Sequence, residues 1–461
     1  MKAGAEGLTL RIAEWVTAQA ATPLPPEVDH HVRRLVLDHL AGVVAGSVTP
    51  VTTAVAEHAS EEYGGAHAVA VGHGRMSTLG AALVNGTAAH GLEVDDGYTP
   101  GSVHPSAVAL PAVLAAAQRE GSSPEQTLRA SAIALELVCR LAASGHPATW
   151  RNHFHNTPLT GVLAAAAGVS ALTGADALTT ANALGIAASH AGGLFEFLGQ
   201  AAEVKRVHPG KAARDGIASA QLAGRGVTGP LTALEGQHGY FAAFAGDDWS
   251  LDTLVDGLGE RWTCLDTYVK PYPSCRHLHG PIDAALALRE EHWLTVGDVR
   301  SITVGTYSVA THHGHTRVDS FLDAQMSIPY AVAAALRWGE VTLAQFSDEA
   351  RADAAVLTLT STVEVTMDQH AQDLYPKARP SRVTLELTDG RTVSKWVEQP
   401  YGEPSNPVTD VDLAGKFHAI TGPLVGAAGA DELIAAVWAF ENLDFLDRAD
   451  ELVRARAGET G

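Results

Sequence analysis

The chain has 461 residues, enough for two or three folding units with a sizeable buried core, which excludes a small stapled module. Its 52 acidic residues against 31 Lys plus Arg give a formal charge of −21, a balance that repels phosphate backbones and anionic lipid and argues against nucleic-acid and membrane partners. Hydrophobic residues make up 46%, aromatics only 6%, and there are 45 glycines, so the interior has to be built from Ala, Leu and Val at close backbone approach. That composition suits tightly packed helices.

At the N-terminus, Glu6, Arg11 and Glu14 interrupt the stretch where a secretory signal needs an unbroken apolar run, so a cytoplasmic protein is expected. Helical periodicity, with apolar residues recurring at three and four, then predicts segments over Pro26–Gly46, 74–90, 106–120, 123–144 and 158–174. Ser123-Pro124-Glu125 supplies one helix start and Thr173-Gly174 one stop. The most apolar stretch, 159–174, is shorter than the roughly 20 residues a bilayer core requires. Cys139, Cys264 and Cys275 are odd in number, far apart and form no CxxC pair, which argues against a disulfide framework or a zinc ribbon and fits a reducing compartment.

After Lys270-Pro271-Tyr272-Pro273, period-two alternation is expected for the first time, over 299–308 and Val363–Met367. A hairpin is predicted over 382–398, with Val383, Leu385 and Leu387 on one face and Asp389-Gly390 at the turn. Helices at 279–291 and 319–338 lie between the strands, and beyond Asn406-Pro407 the helical pattern resumes over 413–420 and 430–456. The expected fold class is mainly α: a large all-helical domain built from both chain ends (1–268 and 405–461) plus a smaller inserted α+β lid domain (269–404).

Four clusters carry polar chemistry. The first runs from Asn85 to Asp96 and on to His104-Pro105, and places His90 and Glu93 on one helical face, where imidazole and carboxylate could meet; a helix end with solvated acids and Gly97 as its cap fits the same letters. The second, His146 to Thr157, packs His146, His153, His155 and Arg151 into a non-periodic segment. The third, Glu203 to Lys211, holds Lys205, Arg206, His208 and Lys211 ahead of a helix, a local excess of cations that invites an anion although no GxxxxGK[ST] loop is present. The fourth, Lys270 to His279, contains Arg276, His277 and His279 and no acid. The last two together suggest carboxylate recognition. His312, His313 and His315 give no metal assignment, because adjacent histidines point apart and no spaced acid or Cys stands nearby; Cys275 reads as a packed thiol. No GxSxG elbow or dinucleotide fingerprint stands out, which lowers support for serine hydrolysis and hydride transfer.

Taken in order, these clusters resemble the MmgE/PrpD family, whose activities include 2-methylcitrate dehydratase, cis-aconitate decarboxylase and iminodisuccinate epimerase. The family's NG-x-x-AH-x-x-D-x-DD then HP pattern is similar to Asn85 to Asp96 with His104-Pro105 here. Its later markers resemble His155 before a Gly/Ala helix, Lys205 with His208-Pro209-Gly210, Lys270-x-Tyr-Pro-x-Cys with His279, the stretch from Asp323 to Tyr330, and Gly402-x-Pro-x-Asn-Pro407. Each motif alone is weakly specific; their order is not. The resemblance covers nearly the whole chain and implies the same helical-body-plus-lid architecture, usually as a homodimer, an active site between the domains, and no metal or organic cofactor.

By the same resemblance, the site residues are Glu93, Gly97, His104, His155, Lys205 and Tyr330. Two depart from the family pattern: Glu93 stands where Asp is common, and Gly97 where Thr or Ser is frequent. The expectation is that His104 and His155 transfer protons, with Lys205 and Tyr330 as further catalytic groups. His208, Arg276 and His279 would bind substrate carboxylates, and Glu93 would orient a histidine. Dehydration of a 2-methylcitrate-like hydroxy acid is the leading reaction, epimerisation the nearest rival and decarboxylation the third. A catalytically silent binding protein of the same fold is the reading from a different class.

Overall fold

The computed structural model describes residues 2, 4–199 and 202–459. It is mainly α-helical and divides into two compact units, one built from the chain up to Tyr268 together with the chain from Asp410, the other from Val269–Thr409.

The first unit is helix packed on helix. Its helices begin where the sequence supplies caps. Ser123 Oγ accepts from the Gln126 amide at 3.3 Å while Gln126 Oε1 accepts from the Ser123 amide at 2.9 Å, a reciprocal box at the head of Pro124–Gly145. Ser77 does the same for Thr78–Ala89, accepting from Gly80 at 3.0 Å. That helix starts later than expected, because Gly74–Met76 (β2) is a strand paired antiparallel with Ala68–Ala70 (β1). Strands therefore occur well before residue 270, and Asn85 latches them: its side chain accepts from Val71 N at 3.0 Å and donates to Val69 O at 2.8 Å.

Helix Asn156–Leu172 is buried at every residue except Ala171, as an apolar-all-round sequence requires. Helices Thr78–Ala89 and Val204–Ala223 cross at Gly86 and Gly210. A Cβ on Gly86 would sit 2.6 Å from Gly210 Cα, and one on Gly210 would sit 2.1 Å from the Leu83 carbonyl, so no larger residue fits either position. The crossing brings the end of the first helix beside the opening turns of the second.

The C-terminal segment returns to this unit as Asp410–Ala439, broken at Gly426 (φ 72°), and Asp444–Glu459. Lys416 pairs with the buried Asp38 and donates to the Val94 carbonyl at 2.7 Å. By length and composition alone, Asp410–Ala439 is the single described helix long and apolar enough to cross a bilayer, a property that the sequence reading looked for at 159–174.

The second unit is α+β. Strands β3 (Val299–Thr306), β4 (Val363–Met367), β5 (Ser381–Leu387) and β6 (Thr392–Val397) form one sheet in the order β4-β3-β5-β6, with β3 and β4 parallel and the other pairs antiparallel. Gly390, at φ 91°, turns the β5–β6 hairpin, and Val383, Leu385 and Leu387 are buried in a core that also takes Ile282, Leu288, Val332 and Leu336 from helices His279–His292 and Ile328–Trp338. The helix expected over 319–338 is two, Phe321–Gln325 and Ile328–Trp338. The break is chemical: Ser327 Oγ accepts from the Tyr330 amide at 3.2 Å and Pro329 sits in the new first turn, where its missing N–H costs nothing.

Candidate active site

The site is built on the loop that leaves helix Thr78–Ala89 and enters helix Pro105–Glu120. His90 ends the first helix and His104 caps the second, so both rings emerge from fixed helix ends. Between them Glu93 adopts φ 58°, a left-handed conformation uncommon for a non-glycine residue, and Asp95 and Asp96 are buried. One carboxylate oxygen of Asp95 lies 2.6 Å from His90 Nδ1 and 3.2 Å from His104 Nδ1. The Asp96 carbonyl is 2.7 Å from the same His104 nitrogen. A proton on His104 Nδ1 answers both acceptors, which leaves Nε2 as its basic atom. The Asp96 carboxylate in turn accepts from Ser106 N at 3.1 Å and Ser106 Oγ at 2.8 Å, fixing the loop to the following helix.

The glycine crossing delivers the second half. His155, ahead of helix Asn156–Leu172, places Nδ1 3.1 Å from His208 Nδ1 on Val204–Ala223, and Phe195 and Phe197 flank the His155 ring at 5.3 and 5.5 Å. One of these two imidazoles donates and the other accepts, so their tautomers are coupled. Four rings thus run in a row, His104–His90–His155–His208, with successive centroids 4.9, 6.0 and 5.4 Å apart. Lys205, one turn ahead of His208, forms an ion pair with Glu93. Within the row, His90 is fully buried and its Nε2 has no hydrogen-bond partner among the described residues, whereas 17% of the His104 side chain is exposed, so the outer end of the row is the reachable one.

Burial dominates the protonation of the row. It lowers His90, against the pull of Asp95, and lowers His155 well below the ordinary imidazole value, with the charges of His90, His208 and Lys205 adding. His208 is brought down to about 4, again by burial first. The inner imidazoles are therefore neutral at neutral pH. Burial pushes the other way on Asp96, up to about 8, reinforced by Asp38 and resisted by the Ser106 hydrogen bonds.

Of the residues expected at the site, the first unit brings together Glu93, His104, His155, Lys205 and His208. Glu93 meets Lys205, and Asp95 is a carboxylate that orients imidazoles. Gly97 lies on the same loop, but its N–H donates to the Tyr268 carbonyl at 3.1 Å, its carbonyl accepts from Tyr268 N at 2.8 Å, and a Cβ there would stand 2.2 Å from the Tyr268 hydroxyl. The absence of a side chain at Gly97 makes room for that phenol ring. The remaining three lie in the second unit. Tyr330 is wholly buried and its hydroxyl donates to the Gln345 carbonyl at 2.6 Å. Arg276 binds Glu403 at 3.0 Å, His279 Nδ1 at 2.6 Å and the Tyr401 carbonyl at 3.0 Å, and His279 is fully buried beside it. Arg276 thus has a protein carboxylate as partner, and Arg379 reaches the same Glu403 at 3.3 Å. His90 and Asp95 were missed as site residues although both stand inside the Asn85 to Asp96 motif. The missed signal was their five-residue spacing, which only a loop turning back on itself converts into contact.

Comparison with known proteins follows this geometry. Residues 10–252 match the MmgE/PrpD N-terminal domain and residues 272–442 the MmgE/PrpD C-terminal domain. The chain is 26% identical over 463 residues to the cis-aconitate decarboxylase-like protein oryM of Aspergillus oryzae, with 94% of each chain covered. It is 27% identical over 437 residues to the cis-aconitate decarboxylase of Homo sapiens, covering 91% of this chain and 89% of that one. Against the 2-methylcitrate dehydratase of Escherichia coli it is 26% identical over 225 residues, 44% of this chain and 46% of that one.

Proposed function

The chain belongs to the MmgE/PrpD family, and from that premise we propose that it is a lyase that moves a proton at a carbon beside a carboxylate of a small polycarboxylate, with dehydration of a 2-methylcitrate-like hydroxy acid as the first reading. The observation that carries this is the row of four imidazoles with Lys205 at its side. Dehydration needs two proton centres, and the row offers two separately wired pairs, His104 with His90 on Asp95, and His155 with His208. In this reading Nε2 of the partly exposed His104 takes the proton from carbon. The departing hydroxide is protonated from the His155–His208 pair, so the alkene and water leave together. Lys205 offsets charge building on the substrate carboxylate.

The inner imidazoles are neutral before substrate arrives, and a bound polyanion supplies the negative charge that raises them again. Substrate binding is therefore accompanied by proton uptake, which calorimetry in buffers of different ionisation enthalpy detects. Decarboxylation of a cis-aconitate-type acid is the second reading, favoured by similarity to decarboxylases along nearly the whole chain. The test is a panel of citrate-like hydroxy acids and cis-aconitate-like alkenes in deuterated buffer, followed by alkene absorbance, carbon dioxide release and deuterium at carbon. Alkene formation without carbon dioxide supports dehydration; carbon dioxide with deuterium at carbon supports the second reading. Silence and no deuterium across the panel overturn both and favour a binding protein of this fold.

A further inference from the structure

The histidine run at 312–315 was set aside as a metal site for want of a Cys or acid partner, and the fold of the second unit supplies one. Cys275, from the segment ahead of helix His279–His292, comes to rest with Sγ 3.8 Å from Nε2 of His313. His277 stacks on His313 with ring centroids 5.4 Å apart. One donor atom from each of Cys275, His277 and His313 lies within 4.8 Å of the other two. A tetrahedral ion with bonds of about 2.3 Å to sulfur and about 2.0 Å to nitrogen sets its donors roughly 3.3–3.6 Å apart, so no pair of the three needs to close by more than about 1.5 Å.

The surroundings have the form that ligating imidazoles require. His313 Nδ1 faces the Met326 carbonyl at 2.9 Å, which places its proton there and leaves Nε2 to face the thiol. His277 Nδ1 is held by the Tyr307 hydroxyl at 2.6 Å, and Tyr307 is itself locked by stacking on Tyr375 at 4.3 Å. The backbone is pinned at both ends, Cys275 N to Gln325 O and Ile328 N to His313 O, each at 2.9 Å. The nearby cations do not forbid a metal, since Arg276 and Arg379 share Glu403 at 3.0 and 3.3 Å. His312 and His315 take no part; His315 is turned to the Asp323 carbonyl.

We propose that Cys275, His277 and His313 bind a soft divalent metal ion of the Zn2+ class, with three protein ligands and one coordination position left open. The proposal rests on residues of the second unit alone and not on the reaction proposed above. Untagged protein, stripped with chelator, is titrated with Zn2+ by calorimetry and with Co2+ by absorption. The expected result is one equivalent bound and a thiolate-to-Co2+ charge-transfer band. Cys275 alone can supply that band, because Cys139 and Cys264 are fully buried. Cys275→Ser removes the band, and both it and His313→Gln weaken Zn2+ binding by at least about 10–100-fold, the loss that even an outer partner of a metal ligand causes. Circular dichroism confirms that each variant is folded, and either folded variant alone decides the question. The proposal is overturned if the native protein shows no charge-transfer band, or if a folded variant keeps Zn2+ affinity within about twofold. Binding lost only on His90→Ala overturns it as well, by moving the ion to the first unit.

Discussion

The two units gather the same residue types, imidazoles with permanent cations, and treat them in opposite ways. In the second unit Arg276 and Arg379 converge on Glu403, and Arg276 also on the Tyr401 carbonyl, so Arg276 is buried against a protein acid. In the first, Glu93 answers Lys205, but Asp95 holds two imidazoles by the ring instead of a permanent cation, and the row ends in a partly exposed His104. The difference teaches that cationic motifs in sequence report where charge is collected. Whether that charge faces a ligand or a partner residue is decided by the acids the fold brings in, here Glu403 from 127 residues away.

That contrast can be broken by substitution. The largest effect is expected for His104→Ala, which should lower turnover by about 10²–10⁴-fold on the substrate found by the panel while leaving the thermal transition nearly unchanged; retention of most activity removes His104 from the chemistry. Next is Lys205→Met, which removes the cation paired with Glu93, whose side chain is only 6% exposed, and should cost about 3–5 kcal/mol in denaturant melts. Adding Glu93→Gln should restore most of that stability without restoring activity, a split that an ion pair of purely structural purpose does not give. In the second unit, Tyr330→Phe should cost about 1 kcal/mol through its bond to Gln345 and change turnover less than about twofold. A fall of a hundredfold or so there would return Tyr330 to the catalytic set.

The comparison is sharpened further by the pH dependence. Asp96 carries a folded value of about 8 against an unfolded one near 3.9, so the folded state binds the extra proton between them and the stability from this group is lost as pH rises through that window. His208, folded at about 4 against about 6.5 unfolded, acts oppositely, and its contribution is lost as pH falls through that range. Asp96→Asn should therefore gain thermal stability relative to the native protein as pH is raised from 5 to about 8. A difference that stays flat across that range means Asp96 is ionised throughout.

Much of the helical body was legible because long apolar periodicity leaves few alternatives: Pro26–Gly46 and the box at Ser123 follow directly from spacing and caps. The misjudged boundaries share a cause. Gly74–Met76 is too short to show a period, and the break at Ser327 is one hydroxyl competing locally for an amide. At the site, the motifs pointed to His104, His155, Lys205 and His208, which do converge. They did not give Glu93 to Lys205, Asp95 to the imidazoles, or Tyr268 to Gly97, since each pairing depends on a loop reversal or a helix crossing. Cys275 and His313 are 38 positions apart, beyond the reach of any local spacing rule.

Lys416 carries a consequence for biosynthesis. Its ammonium reaches from the C-terminal segment to the carbonyl of Val94, between Glu93 and Asp95, and to Asp38 beneath. A nascent polypeptide still threaded through the ribosome has all four histidines but lacks this clasp on the loop that aims them. A product terminated before that lysine keeps the histidines and loses this donor to the Val94 carbonyl.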